Sequence, residues 1–165
     1  MGKDKINLLI VDDEERFLES IKKRLVIRDF NVITVNRGDK AIEVARTHPI
    51  DVALVDLKMP GMNGEQTLEA LKKEHEWMEV VILTGHGSTE SAVECTKKGA
   101  YFYLQKPCEL ERLLDVLTSA YKRRVMNKRK IKQDRMEKIL EMADSSSPLS
   151  ILRKIRELDT EEGQA

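Results

Sequence analysis

The feature that most constrains the fold is an alternation: a short unbroken apolar run, then a segment with apolar residues at helical spacing, again and again. Ile6–Val11 is the first run, and Glu14–Arg28 carries Phe17, Leu18, Ile21 and Leu25 on one helical face. Further strand-like runs lie at 31–35, 51–55, 80–83 and 101–104. Helical patterns at 38–47, 64–74 and 88–98 stand between them, and a last helix starts near Glu109. Runs this short and this apolar suit strands covered on both faces, as parallel strands are. Strand and helix in strict turn predict an α/β fold with a doubly wound five-stranded parallel sheet.

The last helical pattern has no internal stop. From Glu109 to about Ala143 there is neither Gly nor Pro, which predicts a helix of roughly 35 residues, about 50 Å long. Asp144-Ser145-Ser146-Ser147-Pro148 breaks it, with Ser147 as an expected N-cap and Pro148 in a first turn. A short amphipathic helix should follow, carrying Leu149, Ile151, Leu152, Ile155 and Leu158, with Glu161–Ala165 frayed.

Charge divides along the same line. The chain has 29 basic and 29 acidic side chains, which excludes a simple polyelectrolyte. Residues 1–108 hold 16 basic and 18 acidic groups, residues 109–165 hold 13 and 11, and Ser119–Gln133 has seven Lys or Arg with no acid. No apolar stretch has the length of a transmembrane segment, and the residues after Met1-Gly2 show neither a secretory signal nor a myristoylation pattern. Cys95 and Cys108 make no disulfide framework or zinc spacing. A cytoplasmic setting is therefore expected.

In open parallel sheets, function collects at the carboxyl ends of the strands. The first strand delivers Asp12 and Asp13 there, the third Asp56, the fourth Thr84 and the fifth Lys106. Asp12 or Asp13 alone could cap the first helix, and Asp56 alone could be a turn residue. Together the three carboxylates repel one another unless a cation joins them, and an all-oxygen, partly open set suits Mg²⁺. A carboxylate beside that ion can attack phosphorus to give an aspartyl phosphate. Lys106 would then neutralise phosphoryl oxygens and Thr84 hydrogen-bond one of them.

Val11-Asp12-Asp13-Glu14, the segment Asp56-Leu57-Lys58-Met59-Pro60-Gly61-Met62-Asn63-Gly64, Leu83-Thr84-Gly85-His86-Gly87, and Gly99-Ala100 through Lys106-Pro107 stand in order along the chain. With these motifs, residues 4–122 resemble a two-component response-regulator receiver domain. The resemblance implies a flavodoxin-like fold with strand order 2-1-3-4-5 and Asp56 as phosphoacceptor. It implies Mg²⁺ held by Asp13, Asp56 and the backbone carbonyl of Lys58, with Asp12 acting directly or through water. Thr84 and Lys106 would bind the phosphoryl group, and Tyr103 matches the family's switch aromatic. Lys106-Pro107 falls where the family usually has a cis peptide. The implied partner is a sensor histidine kinase or phosphotransfer protein. Two departures stand out: Tyr101-Phe102-Tyr103 makes the fifth strand unusually aromatic, and Cys108 stands where Phe is frequent. Lys58 and His86, each two residues beyond a site residue, are expected to tune the lifetime of the acyl phosphate.

The extension, 123–165, has no helix-turn-helix pattern and is short for a DNA-binding output domain. It leaves three openings. The long helix could support a homodimer or dock a kinase, since Leu110, Leu114, Leu117 and Tyr121 form a seam, although Arg124, Lys128 and Arg135 interrupt it before Met136, Ile139, Leu140 and Ala143. Lys122-Arg123-Arg124 and Lys128-Arg129-Lys130 could touch nucleic acid or anionic lipid. The terminal helix could pack on the body or on a partner protein. A phosphohydrolase working through an aspartyl phosphate is the alternative of another class. It would need a second carboxylate near the nucleophile, commonly two residues on, where this chain has Lys58.

Overall fold

A computed structural model describes residues 4–143 and 148–162. Strands β1 (Ile6–Val11), β2 (Phe30–Val35), β3 (Val52–Val55), β4 (Glu79–Thr84) and β5 (Phe102–Gln105) alternate with helices α1 (Glu15–Val26), α2 (Gly38–Thr47), α3 (Gly64–Glu74) and α4 (Thr89–Lys97). Helices α5 (Leu110–Ala143) and α6 (Pro148–Glu162) follow. All strand pairings are parallel, in the order β2-β1-β3-β4-β5.

The two faces of the sheet follow from the period of two along each strand. Leu8, Ile10, Val52, Leu54, Val81, Leu83 and Leu104 point to one side, where Leu18, Ile21 and Leu25 of α1 and Leu113, Val116, Leu117 and Ala120 of α5 cover them. Leu9, Val11, Ala53, Val55, Val80 and Ile82 point to the other, under Ala41 and Ala45 of α2, Leu68 and Leu71 of α3 and Cys95 of α4. β3 and β4 are buried from end to end. That double burial is why their sequences read as continuous apolar runs.

Element ends differ from the sequence reading by a residue or two, for local reasons. β2 begins at Phe30, which is 4% exposed, because Asp29 takes φ 66° and turns the chain into the sheet directly after α1. Asp tolerates that left-handed conformation better than most residues. α1 starts at Glu15 with Glu14 as N-cap, so neither Asp12 nor Asp13 is its cap. α6 continues to Glu162, further than the fraying expected from Glu161. The expected cap at Ser147 and the side chains of Ala143 and Leu158 lie outside the described residues, as do residues 163–165.

The chain divides into two compact units, Met1–Arg124 and Val125–Ala165. In the first, the last residues of its α5 portion are tied to the amino ends of the central strands. Arg124 Nε lies 3.1 Å from Asp51 Oδ1, and Arg123 Nε lies 3.8 Å from Glu79 Oε1. Asp51 Oδ2 also accepts the Asn7 N–H at 2.9 Å. Two of the cations in Lys122-Arg123-Arg124 are thus engaged by carboxylates of the same unit. In the second unit, Met126, Met136, Leu140, Leu149 and Leu152 are exposed. Among the described residues, no helix is long and apolar enough to cross a membrane.

Candidate functional site

Asp12, Asp56 and Lys106 each sit one residue past a strand, and the sheet's own ladder holds them there, while Thr84 is the last residue of β4. Asp12 N–H donates to Val35 O at 3.2 Å, Asp56 N–H to Val11 O at 2.9 Å, and Lys106 N–H to Thr84 O at 2.9 Å. Hydrogen bonding thus runs one residue past β1, β3 and β5 and fixes the backbone under the reactive side chains. The Lys106-Pro107 peptide is cis.

Asp12, Asp13 and Asp56 offer carboxylate oxygens that all lie within 4.8 Å of one another. Asp12 is 1% exposed and Asp56 3% exposed, whereas Asp13 faces solvent. Asp12 is well provided for. Its Oδ1 accepts the Glu14 N–H at 2.9 Å, and its Oδ2 accepts Lys106 Nζ at 2.5 Å. Burial nevertheless raises its pKa above the ordinary 3.8, with the Asp56 charge adding to the rise and Lys106 and the Glu14 amide opposing it.

Asp56 is different, because its Oδ1 is buried and has no hydrogen-bond partner among the described residues. A buried carboxylate oxygen without a partner costs about 1–3 kcal/mol or more, so its surroundings suit a positive ligand at this point. Three carboxylates, one open to solvent, fit a hard divalent cation such as Mg²⁺ that keeps some of its water.

The remaining site residues lie around this cluster. Thr84 is fully buried, and its Oγ1 accepts the His86 N–H at 3.1 Å. Lys106 Nζ also lies 3.9 Å from Glu14 Oε1 and 4.1 Å from the centre of the Phe17 ring. The side chains of Lys58 and His86 are exposed, Lys58 because Leu57 and Met59 on either side are buried. Tyr103 is half-buried, with its hydroxyl 2.8 Å from Ser91 Oγ.

The loop after Asp56 is closed by α3. Asn63 and Gln66 form a reciprocal capping box, and Gly64 N–H donates to Leu57 O at 2.8 Å. A Cβ on Gly64 would collide with the Asp56 and Leu57 backbone, so only glycine lets the helix approach that backbone this closely. An apolar cleft of about 490 Å³ opens beside Lys106, with Phe17, Ile21, Pro107, Leu110 and Leu113 in its wall.

The sequence reading assigned no site role to Glu14, Phe17, Gly87 or Ser91, although Glu14 and Gly87 stand within the motifs. Phe17 carried only the signal of a core-facing helical residue. Ser88 and Ser91 have capping-box spacing, but the Tyr103 contact depends on the pairing of β4 with β5 and has no local signature.

Comparison with known proteins adds the family. A model of the response regulator receiver domain matches residues 8–118. The chain belongs to the response regulator receiver domain family. This receiver is 34% identical over 122 residues to a cyclic di-GMP phosphodiesterase from Thermotoga maritima, a match covering 74% of the chain and 33% of that protein. The chain spans a third or less of the length of the curated relatives it matches, several of them transcriptional regulators.

Among solved structures, a response regulator receiver domain from Clostridium thermocellum superposes with TM-score 0.70 at 33% identity, over 73% of this chain and 98% of that one. A chain of the CheX–CheY–BeF₃–Mg²⁺ complex from Borrelia burgdorferi gives TM-score 0.67 at 26% identity, over 70% and 89%. The receiver has the CheY-like, flavodoxin-like architecture, and magnesium and phosphoaspartate are typical of its family.

Proposed function

We propose that this receiver takes a phosphoryl group onto Asp56 from a histidine kinase or phosphotransfer protein and passes the change to a protein-binding surface. The observation that carries the reading is the unpartnered, buried Asp56 Oδ1 next to the carboxylates of Asp12 and Asp13. Mg²⁺, held by Asp12, Asp13, Asp56 and the Lys58 carbonyl, would offset the charge of the carboxylates and of the incoming phosphoryl oxygens.

The reaction itself is a displacement at phosphorus. An Asp56 oxygen forms the new O–P bond while the donor's P–N bond breaks, and the imidazole leaves with that electron pair. Lys106, resting on Asp12 at 2.5 Å, exchanges that carboxylate for a phosphoryl oxygen. Thr84 Oγ1 already accepts from His86, which leaves its own proton to donate to the phosphoryl group. The cleft beside Lys106 gives a protein donor apolar surface to rest on.

Phosphorylation replaces the Asp56 carboxylate by a group carrying about two negative charges. Thr84 drawn toward them frees space beside Tyr103, so the receiver shifts between two packings of one fold. Lys58 and His86, both exposed at the rim, set how readily water attacks the acyl phosphate. The receiver body, 4–122, then acts through the extension, 123–165, in a cytoplasmic setting.

Metabolic phosphohydrolysis is disfavoured by Lys58, which stands where a water-activating carboxylate is needed. Contact with nucleic acid or lipid is weakened by the pairing of Arg123 and Arg124 with Glu79 and Asp51. Calorimetric titration with beryllofluoride tests the reading. Stoichiometric binding that requires Mg²⁺ and disappears in Asp56→Asn is expected, and binding retained by Asp56→Asn would overturn it.

A further inference from the structure

Tyr101, Phe102 and Tyr103 are held in two ways. The Arg123 guanidinium lies 5.4 Å from the centre of the Tyr101 ring, and that of Arg112 lies 5.1 Å from Phe102. Tyr103 alone is fixed by its hydroxyl, 2.8 Å from Ser91 Oγ. Ser91 is no ordinary surface serine. It is the third residue of α4 and makes a reciprocal capping box with Ser88.

Ser91 Oγ is the hub of this network. Ser91 N–H donates to Ser88 Oγ at 3.1 Å, and Ser88 N–H donates to Ser91 Oγ at 3.0 Å. The Ser91 hydroxyl also lies 3.0 Å from Ser88 O and 3.2 Å from Ser88 Oγ. Either hydroxyl can donate in the 2.8 Å contact between Ser91 and Tyr103, and in both cases one oxygen serves the helix cap and the phenol. Space is matched as closely as hydrogen bonding. A Cβ on Gly87 would collide with the Tyr103 hydroxyl and lie 3.1 Å from its Cζ. Tyr103 pairs with Ile82 and Gln105 with Thr84 across β4 and β5, so Thr84 and Tyr103 are diagonal neighbours on one face of the sheet.

We propose that Gly87 and Ser91 form a seat for the Tyr103 phenol, so that the movement of Tyr103 is coupled to the N-terminal cap of α4. Gly87 and Ser91 are positioning residues that act through Tyr103. The proposal deepens the reading above and rests on it, because it assumes that Tyr103 answers to Thr84. When Thr84 is drawn to a phosphoryl group, the phenol leaves Ser91 to follow it, and the first turn of α4 loses one support. The output is then a looser helix end as well as a moved ring.

Two variants attack the seat from opposite sides. Tyr103→Phe keeps the ring and removes the hydroxyl, whereas Gly87→Ala keeps every hydrogen-bonding group and fills the space. The readout is peptide-resolved hydrogen exchange over residues 88–95 in the full chain, with and without beryllofluoride and Mg²⁺. Loss of one hydrogen bond of about 1 kcal/mol predicts roughly fivefold faster exchange in both variants without ligand. Beryllofluoride should produce the same acceleration in the unaltered protein and add little in the variants.

Unchanged exchange in Tyr103→Phe would overturn the seat, whatever Gly87→Ala does. Unchanged exchange in the unaltered protein with beryllofluoride bound would overturn its coupling to the site. If the unaltered protein binds no beryllofluoride while both variants still accelerate exchange, the phosphoacceptor reading fails and the seat stands.

Discussion

At the scale of single residues, Asp56 is held in an environment that opposes its charge. Its Oδ1 is buried without a hydrogen-bond partner among the described residues, and two other carboxylates stand within 4.8 Å. Asp56→Asn should therefore stabilise the metal-free protein, by roughly 1–2 kcal/mol, and abolish stabilisation by Mg²⁺. Urea unfolding in chelator and in Mg²⁺ measures both effects. Asp12 gives a pH signature. Its folded pKa is raised, chiefly by burial, so its contribution to stability is complete below the unfolded value of 3.8 and is lost as pH rises through the higher folded value. Melting temperature in chelator should decline through that interval, and Asp12→Asn should flatten the decline. At the rim, Lys58→Asn and His86→Ala should change the dephosphorylation rate by a few fold or more, measured by loss of label after the donor is removed; two unchanged rates would remove both residues from the account. Asp12, Asp13, Asp56, Thr84 and Lys106 were legible in the sequence because each lies within two residues of the end of an apolar run. Phe17 and Ser91 were not, since their contacts with Lys106 and Tyr103 join segments far apart in the chain.

At the scale of elements, α3 places the loop after β3. Gly64 is its first residue and has no room for a Cβ against the Asp56 and Leu57 backbone. Gly64→Ala should cost about 1–3 kcal/mol, read from the urea midpoint, and weaken Mg²⁺ binding as well, because backbone cannot yield as a flexible side chain can. The elements themselves were readable from hydrophobic period, and the strand order followed from the family resemblance. The start of β2 at Phe30 was hidden by the left-handed Asp29, a conformation that the sequence permits without announcing. The basic run also changed meaning. Arg123 and Arg124 looked like free charge along the helix, yet they meet Glu79 and Asp51 at the amino ends of β4 and β3. That contact depends on where the helix crosses the sheet.

At the scale of the whole molecule, the balanced count of 29 basic and 29 acidic groups conceals a division of labour. Carboxylates needing a cation gather at one end of the sheet, and most of the surplus cations lie on α5. The second unit exposes Met126, Met136, Leu140, Leu149 and Leu152, enough apolar surface to expect an association. If that association is a dimer controlled by the receiver, sedimentation mass should change on beryllofluoride addition and stay constant in Asp56→Asn; a constant mass in both would leave the extension to a different partner. The central claim is chemical, and intact-mass analysis after incubation with acetyl phosphate and Mg²⁺ tests it most directly. One phosphoryl group per chain, mapped to Asp56, absent without Mg²⁺ and absent in Asp56→Asn, is the predicted result. Label on another residue, or none under conditions where the protein is folded and Mg²⁺ is bound, would contradict it.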